Sequence, residues 1–441
     1  MKVKVESTTT LKPTYEPTTT TRSPPTSTHV PLTVFDKVTY AAHIAVIYAY
    51  RPPTPSNSKI KLGLRRALSE YREWAGRLGH DEDGNPVILL NDDGVKLVEA
   101  STDTRLDEVM PLKPSPLVLS LHPALNDVVE LVQVQLTRFS CGSLVVGFTA
   151  HHLVADGHST SNFLVAWGRA SRGLDLGPLP YHDRTIFNPR EPPIFEYDHR
   201  GVEYYGHHDR SCYCNENDRD SLVDDIVIHK VHFTMDFLSK LKTRCATSSN
   251  NKAYSTFVSL VAHLWRAVTK ARGLGGFETT RIRISVDGRA RMVNPRVPNE
   301  YFGNLVLWAF PTSRVKDLLR EPLPYAAKLI HDAVAGVNDG YFKSFVDFAS
   351  HRVDEEGLTP TAEMNKAVLS PDLEVDSWLR FPFYDLDFGG GCPYVFMPSF
   401  FPTEGMMFLL PSFIGDGSVD AFVPLFRDSL DTFKEVCYVL E

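Results

Sequence analysis

Residues 144–157 constrain the fold of this chain more than any other stretch. Leu144-Val145-Val146-Gly147-Phe148-Thr149-Ala150 is a nearly continuous apolar run of strand length, which reads as a buried strand. It leads straight into His151-His152-Leu153-Val154-Ala155-Asp156-Gly157. A strand that ends in His at a Gly-containing turn delivers an imidazole to the edge of a core. Upstream, Val132, Val134 and Leu136 alternate with Gln133 and Gln135, and Cys141-Gly142-Ser143 turns the chain between the two strands. Downstream, Phe163, Leu164, Trp167 and Ala170 recur at helical spacing, closing near Gly173.

At 441 residues the chain exceeds one ordinary core, so two domains of similar size are expected. The Thr-, Ser- and Pro-rich stretch 7–28 cannot pack a core and reads as an extended or disordered surface segment, with structure beginning near Val30. Ala45–Tyr50 reads as a strand stopped by Pro52 and Pro53. Ile60, Leu64, Ala67, Leu68, Tyr71 and Trp74 then fall on one helical face. Proline and charge dominate residues 174–225, which read as a long crossover. Beyond it, strands are expected at 226–233, 282–286, 304–310, 394–398, 406–410 and 421–425, with a helix carrying Val258, Val261, Leu264, Trp265 and Val268. The predicted organisation is a segment 1–29, a domain 30–180, a linker 181–225 and a domain 226–441. The class is α/β, with two mixed β-sheets and flanking helices.

A net charge of −8 argues against nucleic-acid or anionic-membrane partners. No stretch is apolar for long enough to span a bilayer. The six cysteines, Cys141, Cys212, Cys214, Cys245, Cys392 and Cys437, are scattered, and no signal core or sequon accompanies them. A reduced, cytoplasmic protein is the expectation.

His152 can exchange protons near neutral pH. Asp156, four residues on, can orient that ring, brace the turn, or cap the following helix. A metal reading through His151, His152, Asp156 and His158 matches no trusted zinc spacing, and no metal is expected. Cys212 and Cys214 beside His207 and His208 read as a solvated loop. In Asp387-Phe388-Gly389-Gly390-Gly391 the glycines permit a tight turn that Asp387 can anchor. No nucleophile elbow, P-loop or dinucleotide fingerprint occurs.

The spacing of His152-Leu-Val-Ala-Asp156-Gly157 and Asp387-Phe-Gly389-Gly-Gly391 resembles the two signatures of the plant BAHD acyl-CoA-dependent acyltransferases. Tyr301-Phe302-Gly303-Asn304, behind Asp287-Gly288-Arg289, resembles a third family element. The similarity covers the chain after its Thr-rich segment. Stretches such as YREWAGRLG, VDGRARM and EVDSWLRFPFYDLDFGGG resemble the grass agmatine coumaroyltransferases and related amine N-hydroxycinnamoyltransferases. One departure stands out: Gly390 occupies a position where the family usually has Trp.

The resemblance implies two chloramphenicol-acetyltransferase-like domains with a channel between them, joined by a long crossover loop. It implies that His152 is the general base in mid-channel, and that Asp156 pairs with Arg289 and fixes the loop. Gly157, Asp387, Gly389 and Gly391 would support the site structurally. Ser255 and Thr256, with Lys252, match a segment on the CoA side, and Asn304 matches a residue near the reaction centre. Acceptor contacts are implied for Glu374-Val375-Asp376-Ser377-Trp378, where an acid at Asp376, with Glu374 in reserve, suits a cationic acceptor. Such an enzyme needs no resident cofactor. Acyl-CoA is a co-substrate, a small amine is the acceptor, and the family points to a monomer.

Overall fold

The structure, a computed structural model, describes residues 1–15, 27–206, 224–246, 254–364 and 367–440. Two compact units account for these residues. The first comprises Met1–Phe187, Val297–Leu305 and Phe381–Phe400; the second comprises Asn188–Arg296, Val306–Arg380 and Phe401–Glu441.

The first unit is built on a six-stranded mixed sheet. Its strands are β1 (Lys4–Leu11), β2 (His43–Tyr50), β3 (Val95–Thr102), β4 (Val132–Phe139), β5 (Leu144–His151) and a last strand, Val395–Pro398. The spatial order is β1-β3-β4-β5-β2-Val395–Pro398. β3 and β4 run parallel, and the other neighbours are antiparallel. Seven of the eight residues of β5 are buried, as its apolar run requires. A short helix α1 (Val34–Lys37) starts at the capping box of Thr33 and Asp36. Helices α2 (Asn57–Glu70) and α3 (Gly157–Ser171) pack together, and the Trp167 indole donates to the Ile60 carbonyl at 2.9 Å.

Three features differ from expectation. Regular structure begins well before Val30. Lys4–Leu11 forms an edge strand on β3, because a run of β-branched threonines suits an extended ladder that leaves its side chains in water. The division at residue 225 does not follow the packing either. Val395–Pro398 completes the first sheet beside β2, and residues 297–305 belong to the same unit. The third concerns the crossover. Within the first unit, His182 meets Glu73 at 2.6 Å and Arg184 forms a buried ion pair with Asp36. Within the second, Arg190 binds Asp347 at 2.7 Å and Tyr197 N–H donates to Ser344 at 3.0 Å. Residues 207–223, with Cys212, Cys214, His207 and His208, lie outside the described residues.

The second unit has a sheet of β6 (Ile226–Phe233), β7 (Thr279–Asp287), β8 (Val306–Ala309), β9 (Leu373–Ser377), β10 (Met406–Pro411) and β11 (Val419–Phe426), in the order β6-β11-β10-β9-β7-β8. The short strand Thr312–Arg314 pairs with β7 off this path. Its helices include α4 (Met235–Cys245), α5 (Thr256–Ala271), α6 (Leu323–Gly336), α7 (Asp339–His351) and α8 (Arg427–Val436). Eleven of the sixteen residues of α5 are buried, so it is the central helix of that unit.

Candidate active site

The turn after β5 places the two histidines differently. His151 is the last ladder residue, opposite His43, with the rings 4.9 Å apart in a T arrangement. His152 leaves the strand, its N–H donating to the Ala42 carbonyl at 2.9 Å. The Val154 N–H then closes the turn on the His151 carbonyl at 3.1 Å.

Of the three roles open to Asp156, the structure shows bracing and capping. Asp156 is buried at the start of α3, and its Oδ1 accepts the Ser159 N–H at 2.9 Å. Its Oδ2 accepts the Leu305 N–H at 2.9 Å, tying the turn to residues 297–305. The partner at His152 Nδ1 is a hydroxyl: Thr39 Oγ1, 3.0 Å away and 6% exposed. Gly157 opens α3 where a Cβ would sit 2.8 Å from the Phe381 ring, so any side chain there must displace an aromatic.

Asn304 fastens the main chain of the loop. Its Nδ2 donates to the His152 carbonyl at 2.9 Å and to Asp36 Oδ1 at 2.9 Å. Asp36 also accepts the Thr33 N–H at 2.8 Å and pairs with Arg184, both partners being buried. A chain of bonds therefore runs Arg184–Asp36–Asn304–His152, holding the loop from below. Thr39, Asp36 and Arg184 were not among the expected site residues. The Thr33-x-x-Asp36 capping pattern was the one legible signal, and it marks a helix start rather than a site.

Burial and the neighbouring histidines push His151 down to about 4, and burial lowers His43. His151 Nδ1 accepts the Leu153 N–H at 3.3 Å. His158 Nε2 is 3.0 Å from the Asn299 carbonyl.

Asp387 anchors the glycine loop of the first unit. Its Oδ1 accepts the N–H groups of Gly389 (2.7 Å) and Gly391 (2.9 Å), and its Oδ2 meets Arg172 at 3.1 Å. Gly389 and Gly391 have φ of +108° and +98°, a region that disfavours side chains. A Cβ on Gly390 would lie 2.3 Å from the Pro53 carbonyl oxygen. The loop is packed for glycine at the position of the family Trp.

In the second unit, Asp287 caps a single turn. Its Oδ1 accepts the Arg289 N–H at 2.9 Å and its guanidinium at 3.1 Å, and that guanidinium side chain is only 1% exposed. Glu374 and Asp376 alternate onto one face of β9, which is strand rather than a capped surface turn. Arg283 lies 3.7 Å from Glu374 and stacks over Trp308 at 3.9 Å. Ser285 donates to Asp376 at 2.5 Å. Trp378 packs on Phe408 with centroids 5.1 Å apart. Arg283 thus meets Glu374, and Ser285 donates to Asp376. Ser255 caps α5, accepting the Val258 N–H at 3.2 Å, and Thr256 is the first residue of that helix. Lys252 lies outside the described residues.

The first unit thus holds an imidazole on a braced loop with a hydroxyl on one ring nitrogen, and a glycine loop locked by an aspartate. A profile described as "Transferase family" matches residues 1–440. The chain belongs to this family, the BAHD acyltransferases, and is an acyl-CoA-dependent acyltransferase. It is 54% identical over 418 residues to agmatine coumaroyltransferase-1 of Hordeum vulgare, covering 93% of this chain and 94% of the relative. It is 52% identical over 454 residues to putrescine hydroxycinnamoyltransferase 3 of Oryza sativa subsp. japonica, covering 100% of each. The crystal structure of vinorine synthase shares the fold, with a TM-score of 0.72 at 21% identity over 98% of this chain and 96% of that one. Among the described residues, no helix is long and apolar enough to cross a membrane.

Proposed function

We propose that this enzyme transfers a hydroxycinnamoyl group from its CoA thioester to the primary amine of agmatine, releasing a phenolamide and CoA. The observation that carries this reading is the His152 loop, clasped at its carbonyl by Asn304 and at ring Nδ1 by Thr39. In the tautomer whose Nδ1–H donates to the Thr39 hydroxyl, Nε2 holds the lone pair and serves as general base. The amine nitrogen attacks the thioester carbonyl, a tetrahedral oxyanion forms, and CoA thiolate leaves. The thioester is already activated, so no covalent enzyme intermediate is required.

An alkylammonium has a pKa of about 10.4, so presenting it as the free base at pH 7 costs about 5 kcal/mol. Desolvation recovers part of that. A carboxylate beside the reacting nitrogen would oppose deprotonation; one that grips the guanidinium end would not. Asp376 is the proposed grip, with Glu374 in reserve. Trp378 supports the acceptor side, and Ser255, Thr256 and Lys252 the CoA side. Arg289 is proposed to pair with Asp156. The reading includes a cytosolic monomer with no metal or resident cofactor.

The deciding assay is CoA release with p-coumaroyl-CoA and agmatine, putrescine, tryptamine or tyramine, with products checked by mass. Agmatine should give the highest kcat/KM. A higher value for putrescine, the acceptor named for a relative at comparable identity, would move the assignment there. Release of CoA with none of these amines would leave the non-catalytic binding reading. Asp376→Asn should raise the agmatine KM about ten- to a hundredfold, because a charge-assisted bidentate contact contributes about 1.5–3 kcal/mol. The acyl-CoA KM should stay put.

A further inference from the structure

The crossover is fixed to the first unit by a histidine that faces two acceptors. His182 Nδ1 lies 2.6 Å from Glu73 Oε1, and its Nε2 lies 3.0 Å from the Glu70 carbonyl. A carbonyl oxygen accepts, and so does an ionised carboxylate. A neutral ring has one N–H and can serve one of these oxygens; only the imidazolium serves both. Burial opposes charge on both partners, yet each holds the other ionised: Glu73 sits below its ordinary range and His182 above its own. Glu73 is 1% exposed, whereas the His182 side chain is 39% exposed and open to protons from solvent. The ionisable groups facing the ring are Glu73, from the turn Arg72–Ala75, and Arg184, two residues on, which disfavours its charge. Asp183 between them is turned to the Thr185 N–H and hydroxyl. Residues 297–305 present the Phe302 ring, 5.9 Å away. Burial, then the Glu73, Glu70 and Glu300 carboxylates, keep the phenol of Tyr71, just before the turn, protonated.

Both sides of His182 lead to Asn304. On one side, the Tyr181 N–H donates to the Glu300 carbonyl at 2.8 Å, and the Phe302 N–H donates to the Tyr181 carbonyl at 2.9 Å, two residues before Asn304. On the other, Arg184 holds Asp36, whose Oδ1 accepts the Asn304 N–H at 3.2 Å and its Nδ2 at 2.9 Å. Asn304 in turn grips the His152 carbonyl. All of these residues belong to the first unit.

We propose that His182 is a positioning residue: as an imidazolium it locks residues 181–184 in place and, through Asn304, holds the His152 loop in its reactive form. The inference rests on the reading of His152 as general base and adds a protonation requirement at a second histidine. The sign follows from linkage. A pKa raised by folding contributes stability that is complete below the unfolded value of about 6.5 and is lost as pH rises through the higher folded value. The lock is therefore closed in mildly acid solution and opens on the alkaline side. The general base behaves in the opposite way, gaining activity as it loses its proton. The two histidines thus bound the working range from opposite ends.

The test measures kcat from pH 6 to pH 9 with saturating p-coumaroyl-CoA and the best amine of the panel above. Each variant's kcat is divided by that of the wild type at the same pH, which cancels the titrations of His152 and of the amine. His182→Gln never carries the charge. Its quotient should be about one tenth at the acid end, the low end of what one hydrogen bond to a charged group contributes, and should climb towards one at the alkaline end. His182→Arg keeps a cation with two N–H donors at every pH. Its quotient should rise about tenfold across the same range, because only the wild type loses its lock. A residue that merely supports the fold would give quotients that do not move with pH. A flat quotient for His182→Gln overturns the proposal; if that variant does not fold, a flat quotient for His182→Arg does so. Turnover retained in His152→Ala would instead remove the general-base reading, whatever the quotients show.

Discussion

Two histidines of this protein sit in similar company and come to opposite ends. His199 in the second unit has Glu203 at 2.9 Å on Nδ1 and the Ser344 hydroxyl at 3.3 Å on Nε2. By residue type that is the serine–histidine–carboxylate arrangement of a hydrolase. Among the described residues, His152 in the first unit has the Thr39 hydroxyl on Nδ1 and no hydrogen-bond partner on Nε2. Yet His199, Glu203 and Ser344 are each 0% exposed, and Tyr341 donates to both Glu203 oxygens at 2.9 and 3.0 Å. The His199 ring is packed against Tyr341, Phe345 and Phe348. No substrate reaches a serine there, and the cluster staples residues 188–206 to α7. His152 keeps partial exposure. Chemistry needs an unspent, reachable nitrogen, and a fully satisfied buried triad has none.

The sharpest way to break this comparison is to remove each imidazole. His152→Ala should lower turnover about 10²- to 10⁴-fold with little change in thermal stability, since loss of a general base costs that much. Retention of a tenth of wild-type turnover would end the base assignment. Glu203→Leu should do the reverse. Removing Glu203 leaves the buried His199 and Tyr341 without their shared hydrogen-bond partner, so the melting temperature should fall while kcat per folded molecule holds. A kinetic defect without a stability defect would make the His199 cluster functional.

Asp156→Asn and Arg289→Met should each lower the melting temperature by a comparable amount if the two pair as proposed. Unchanged melting in both variants rejects that pairing. A smaller effect is expected at Thr39. Thr39→Val removes the hydroxyl at Nδ1 with little change of shape and should lower kcat about tenfold with both KM values unchanged. Thr39→Ser should recover most of it. Equal rates for Val and Thr would show that the ring needs no partner at Nδ1.

A last expectation concerns pH dependence. His151 is held near 4 when folded, against about 6.5 unfolded. Between those values the unfolded chain binds more protons, so stability is lost as pH falls from about 6.5 towards 4. Equilibrium unfolding of His151→Gln across that window should show a shallower slope than wild type. An identical slope would mean that His151 contributes nothing to acid lability.

Much of the site was legible because it is local. An apolar strand, a turn with His152 and a capped helix beginning at Gly157 are consecutive, and their periodicities are set by neighbours in sequence. The role of Asp387 was legible for the same reason, since its glycine partners stand two and four residues away. The strand at Lys4–Leu11 was not. A Thr-rich segment has no inward face to show, and its ladder partner β3 lies some ninety residues on. Nor was the need for glycine at 390, where the obstacle is the Pro53 carbonyl.

By itself, then, the amino-acid sequence determined which residues form strand, turn and helix around His152, which aspartate braces the turn, and the acyltransferase family to which they belong. Tertiary structure alone decided what touches the imidazole. Thr39 stands 113 residues before its ring, Asn304 stands 152 after its carbonyl, and Arg184 reaches Asp36 across 148. It also decided that His199, with better partners on paper, is sealed in a core. Local periodicity follows from backbone geometry, whereas such contacts follow from how distant segments pack, and a hydroxyl or a carboxylate carries no mark of its partner until they do.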